Sequence, residues 1–180
     1  MGAFREDIKR WAHQSWRPQG AEPVPCELTA GLVVRLLWRH PALVATGIYR
    51  MSHWAHVHRL RGLPSLLERV NLVLFGLEIS SSIPIGPGLY VAHPVGTVLM
   101  AKQIGANASF IHAVTLGMRN THDFPTLGDA VFVGAGARIL GGIAVGDRAT
   151  IGANAVVIAD VPPGRTAVGV PARLVAEQRS

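Results

Sequence analysis

Two patterns of apolar positions divide the chain. Up to residue 77 they recur at helical spacing. Phe4, Ile8, Trp11 and Ala12 share one face of a first helix, which Arg17-Pro18-Gln19-Gly20 breaks. A second run, Glu27 to Trp38, is closed by His40-Pro41, and Pro41 also suits the first turn of a third helix reaching to about Leu60. Arg61-Gly62-Leu63-Pro64 then precedes a last helix, Pro64 to Phe75, ended by Gly76.

From residue 79 the period becomes six. Leu127, Val133, Ile139, Val145, Ile151 and Val157 are all aliphatic, and Gly128, Gly134, Gly146 and Gly152 follow four of them. Four places after each aliphatic stand Val131, Ala137, Ile143, Ala149, Ala155 and Val161, all small or branched and apolar. Upstream, Ile79, Ile85 and Val91 are in phase, and a one-residue slip then gives Val98, Ile104, Phe110 and Leu116. Met118 to Pro125 reads as a polar loop thrown out of the repeat.

A period of six fits neither a helix nor long alternating strands. It fits short flat segments joined by tight corners, with the aliphatic inward and glycine near the bend. Three segments close one triangular coil of about eighteen residues, so residues 79–174 make a little over five coils. Coils stacked in this way bury their inner faces on each other and need capped ends. The predicted fold is mainly β: a parallel β-helix over 78–175, an α-helical region over 1–77 that caps one end, and a short tail at 176–180. Arg165 to Val175 would cap the other end.

Composition refines this picture. The 180 residues are 49% hydrophobic and 16% charged, which excludes an intrinsically disordered chain. Cys26 is the only cysteine, so no internal disulfide forms. The formal charge of +6 is concentrated in the front, with ten Lys/Arg against five Asp/Glu in residues 1–77. No nucleic-acid-binding motif accompanies that charge, so nucleic acid is not an expected partner. The helices, with Arg35, Arg39, Arg50, Arg59 and Arg61 among Trp and Leu, suit packing on each other or on a neighbouring subunit. Peripheral contact with an anionic membrane is the alternative. The N-terminus has mixed charges and no apolar core of a signal sequence. The uncharged stretch Ile79 to Ala101 carries too many Ser, Pro and Gly to span a bilayer, so a cytoplasmic protein is expected. Of His53, His56 and His58, only the first two share a helical face, and no carboxylate or cysteine lies close by in sequence. No metal site is expected.

The segments GLYVAHPVGTVL (88–99), HAVTLG (112–117), VGAGARILGGIAVGDRATIGANAVV (133–157) and AVGVPARLV (167–175) resemble the serine O-acetyltransferase family of left-handed β-helix, hexapeptide-repeat acyltransferases. The likeness covers residues 78–175 well and about 40–75 more loosely. It implies a left-handed coil and an enzyme moving an acetyl group from acetyl-CoA to a hydroxyl, as a homotrimer or a dimer of trimers.

The resemblance also implies roles. His93 matches the family's catalytic histidine, the base that takes the hydroxyl proton. The family's orienting Asp lies fifteen residues earlier, where this chain has Glu78. For acetyl-CoA it implies a groove between coils of adjacent subunits, lined by Gly117, the backbone N–H of Met118, Ala135 and Ala153, with Arg138 and Arg173 as phosphate partners. Three departures bear on the acceptor and partners. Ala92 stands where the family's serine enzymes have Asp, and Asp123-Phe124 replaces an Arg-His pair before Pro125. His122 in that loop is a substitute or an alternative base reaching a neighbouring subunit. The chain ends in Arg179-Ser180 instead of the isoleucine used to dock cysteine synthase, so that docking is not expected; nor is cysteine feedback, which would use the altered acceptor pocket. L-serine, a sugar or a secondary-metabolite hydroxyl all fit as acceptor. The alternative of another class is a catalytically silent trimeric β-helix scaffold.

Overall fold

The computed structural model describes residues 2–14, 28–120 and 122–175. The predicted break at 17–20, Cys26, Glu27 and the tail at 176–180 lie outside the described residues. The helices are α1 (Gly2–Gln14), α2 (Ala30–Arg39), α3 (Pro41–Val57) and α4 (Leu63–Phe75). Thr29 caps α2, its Oγ1 accepting from the Leu32 N–H at 3.3 Å. Helix α3 begins on Pro41 as predicted but stops short of Leu60. Arg59 takes φ 57°, and the N–H groups of Arg59 and Leu60 return to the carbonyls of His56 and Ala55, which closes the helix. Gly76, at φ 64°, ends α4.

Three parallel faces follow. One is built from β1 (Leu77–Ile79), β3 (Thr97–Leu99), β6 (Thr115–Gly117), β9 (Arg138–Leu140) and β12 (Val156–Val157). A second holds β4 (Gln103–Ile104), β7 (Thr126–Leu127) and β10 (Ala144–Val145). The third holds β2 (Tyr90–His93), β5 (Ser109–His112), β8 (Phe132–Val133), β11 (Thr150–Ile151), β13 (Thr166–Val168) and β14 (Arg173–Leu174). The chain visits the faces in rotation, so each circuit is one coil and residues stack on their counterparts in the next. Leu127, Val133, Ile139, Val145, Ile151 and Val157 all point into the shared core, as the six-residue period predicts.

Upstream, Ile79, Ile85, Val91, Ile104, Phe110 and Leu116 are buried as the phase predicts, and the prediction fails at Val98. Val98 is only half-buried and faces outward, while Leu99 and Thr97 are buried. Leu99 pairs in register with Ile79 and Leu116, so it is the inward residue of that coil. The passage from Val91 to Leu99 therefore takes eight residues where Phe110 to Leu116 takes six. The surplus is spent in the turn Pro94–Gly96, closed by the Thr97 N–H on the Pro94 carbonyl at 3.0 Å.

Glycine is needed where corners of successive coils touch. A Cβ on Gly86 would lie 2.5 Å from the backbone nitrogen of Ala106, and one on Gly134 would lie 2.6 Å from that of Ala153. No side chain fits such a gap.

The helices are fastened to the first coils by charge. Asp7 of α1 is fully buried and accepts from Arg50 Nε (2.8 Å), Arg50 Nη2 (3.0 Å) and the Leu89 N–H (2.8 Å). Arg50 also donates to the carbonyls of Ile85 (2.6 Å) and Gly86 (2.7 Å), and Arg10 donates to the Asn107 carbonyl and Ser109 Oγ. Tyr49 donates to the Ile83 carbonyl at 2.7 Å. At the other end β14 folds back antiparallel on β13.

Removing one partner of a buried pair strands the other charge. Asp7→Ala should lower the unfolding free energy by about 3–5 kcal/mol in urea denaturation, and Asp7→Ala/Arg50→Ala should cost less than the two single changes added together. A loss under about 1 kcal/mol for Asp7→Ala would contradict this role for the pair.

Candidate functional site

The enlarged corner after Val91 is where His93 stands. It is the last residue of β2, exposed, and its carbonyl accepts from Thr97 Oγ1 at 3.4 Å. Its ring nitrogens make no hydrogen bond among the described residues, so both are open to a ligand. His112 pairs with it in register on the next coil, the two rings edge to face with centroids 6.1 Å apart. The column continues through Ala135 and Ala153: the Gly136 N–H donates to the His112 carbonyl at 2.7 Å, and the Asn154 N–H to the Ala135 carbonyl at 2.8 Å. One edge of the prism thus carries two histidines and then two alanines, a strip that narrows to backbone and methyl groups.

The other predicted residues are spread over the prism, Arg138 beside this column but Gly117 and Met118 at the corner between the β6 and β7 faces. Gly117 ends β6 opposite Leu140, whose Cδ2 would lie 3.9 Å from an added Cβ, so the surface there is open. Met118 follows it, exposed. Arg138 on β9 folds back to the column, Nη1 donating to the Gly136 carbonyl at 3.2 Å. Arg173 lies on β14 at the far end, donating to the Ala172 carbonyl at 3.1 Å.

Two residues are not brought to His93. Glu78 projects outward from the middle of β1 and makes no hydrogen bond or ion pair among the described residues, with His93 or otherwise. His122 lies in the loop 118–125, which hangs from the corner between the β6 and β7 faces, a different edge of the prism. That loop rests on Gly141 and Gly142: a Cβ on Gly142 would be 2.8 Å from Asp123 Cβ. Within one chain the β3–β6 face separates His122 from His93.

Beside His93 opens a cleft of ≈ 470 Å³, with Trp11, Arg39, His40, Phe75 and Tyr90 among its walls. Trp11 packs between His40 and Tyr90, with ring centroids 4.9 and 4.6 Å away. Burial lowers the His40 imidazole pKa and the neighbouring Arg39 lowers it further, while burial raises that of the Tyr90 phenol. Sequence reasoning missed the cleft and gave His112 no role. The signal for His112 is the interval of nineteen residues from His93, close to one coil.

Residues 124–159 match the bacterial transferase hexapeptide (six repeats) family. The serine acetyltransferase of Helicobacter pylori strain J99 is 40% identical over 150 residues, spanning 80% of this chain and 86% of that enzyme. This chain belongs to the serine acetyltransferase family. Among solved structures, soybean serine acetyltransferase complexed with serine superposes with a TM-score of 0.81 at 32% identity, covering 97% of this chain and 70% of that one. A serine acetyltransferase in complex with CoA gives 0.79 at 31% identity, covering 97% and 69%. The fold is the left-handed β-helix preceded by helices that the resemblance implies, and the chain is an acyltransferase by family. Among the described residues, no helix is long and apolar enough to cross a membrane.

Since burial and Arg39 both disfavour its imidazolium, His40 should titrate below the usual histidine value of about 6.5 in NMR spectra recorded across pH. Arg39→Ala should raise that pKa by removing the cation; a fall would refute the assignment.

Proposed function

We propose that the protein transfers an acetyl group from acetyl-CoA to the hydroxyl of L-serine or a related small acceptor, with His93 as general base. The observation that carries this reading is a histidine with both ring nitrogens open, set between a cleft and a strip of small residues. The acceptor hydroxyl gives its proton to His93 as its oxygen bonds to the thioester carbonyl carbon. When the tetrahedral intermediate collapses, the C–S bond breaks and His93 returns the proton to the CoA sulfur.

The pantetheine arm needs a flat track, which supports Ala135 and Ala153 on the His93 edge and Gly117 at the β6–β7 corner as its bed, with the Met118 N–H as a donor. Arg138 and Arg173, both exposed, are suited to CoA phosphates. Glu78 would orient the His93 ring only after its own side chain reorients toward it. His122 lies on another edge, so it would act as an alternative base only at a neighbouring subunit's site. That arrangement accords with a homotrimer, or a dimer of trimers, working in the cytoplasm. Exposed Trp38, on the same helix as exposed Arg35 and Arg39, supports peripheral contact with an anionic membrane. Ala92 offers no carboxylate to an acceptor amine.

Free CoA thiol released from acetyl-CoA in the presence of L-serine tests this reading. His93→Ala should cut turnover roughly 10²- to 10⁴-fold with the fold intact. Near-normal turnover would move the base to His122.

A further inference from the structure

The cleft beside His93 has a one-sided charge pattern. Arg39, exposed at the C-terminal end of α2, brings a permanent positive charge to its wall and makes no ion pair among the described residues. The other titratable groups on the walls are His40, Tyr90 and His93. Burial and Arg39 favour neutral imidazole at His40, and burial favours neutral phenol at Tyr90. Among the described residues, no Asp or Glu lines the cleft. Asp7 of α1 is fully buried and already shared by Arg50 and the Leu89 N–H. Among the described residues, a ligand here meets one unpaired cation, aromatic faces and no counter-ion for an ammonium group. The cleft volume of ≈ 470 Å³ lies within the roughly 300–1,000 Å³ of small-molecule sites.

We propose that Arg39 selects the acceptor: the hydroxyl substrate carries an anionic group, carboxylate or phosphate, seated on the Arg39 guanidinium while its hydroxyl faces His93, and an amine contributes nothing to its binding. This rests on the acetyl-transfer reading above. A guanidinium and a carboxylate or phosphate form paired charge-assisted hydrogen bonds, which fix orientation as well as affinity. An amine entering the same cleft would lose water and gain no partner.

The experiment compares acetyl-CoA turnover with L-serine, N-acetyl-L-serine, L-serinamide and glycerol 3-phosphate, in the wild-type protein, Arg39→Ala and Arg39→Lys. L-serine should be used, and N-acetyl-L-serine should keep kcat/KM within about tenfold of it, whereas L-serinamide should fall at least tenfold below. Turnover of glycerol 3-phosphate would identify phosphate as an accepted anion, and its rejection would restrict the site to carboxylate. Arg39→Ala should raise KM for the accepted anions about tenfold or more and leave KM for acetyl-CoA unchanged, with Arg39→Lys in between. Serinamide used as well as serine, N-acetyl-L-serine refused, or an unchanged acceptor KM in Arg39→Ala would overturn the proposal while leaving acetyl transfer standing. If the folded wild-type protein releases CoA with none of the four, the acetyl-transfer reading fails for these acceptors and the proposal falls with it.

Discussion

Successive corners of the prism approach so closely that backbone meets backbone, and everything else in the molecule is arranged around that contact. At Gly86 and Gly134 there is no space for even a Cβ against the coil above. The close approach lets carbonyls on one coil accept from N–H groups on the next along each face. It also seats Leu127, Ile139 and Ile151 in a core with no exposed edge at mid-height. Stability is then shared between neighbouring coils, and the open ends become the weak points.

The helices answer that weakness at the first coil. A coil with no predecessor would leave carbonyls such as those of Ile83, Ile85 and Gly86 facing solvent or apolar helix. Tyr49 and Arg50 donate to them instead, and Asp7 holds Arg50 in place. The same docking brings Trp11, Arg39 and His40 alongside β2. The cap thereby becomes one wall of the cleft, so end protection and acceptor recognition draw on the same helices.

The column at the His93 edge follows from the same stacking. Every coil delivers one residue to each corner, so His93, His112, Ala135 and Ala153 align although they are far apart in the chain. The two additional residues between Val91 and Leu99 enlarge that corner at His93 alone. The regular coils above it remain smooth.

The period of six, written in Leu127 through Val157, was sufficient for the solenoid, because inward aliphatics and corner glycines are local demands that each coil repeats. Pro41 and Gly76 likewise marked helix ends through backbone geometry intrinsic to those residues. The motif around His93 was legible by resemblance. Other features depended on how segments meet. Val98 and Leu99 are both apolar, so only the pairing with Ile79 and Leu116 decided which points inward. Glu78 lies at the spacing of an orienting carboxylate, but β1 turns its side chain outward, without a hydrogen bond to His93. Arg39 reads in sequence as one more basic residue on an amphipathic helix. It acquires meaning only when α2 is laid beside β2, because an unpaired charge matters through what the fold places next to it, and no local pattern encodes that neighbour.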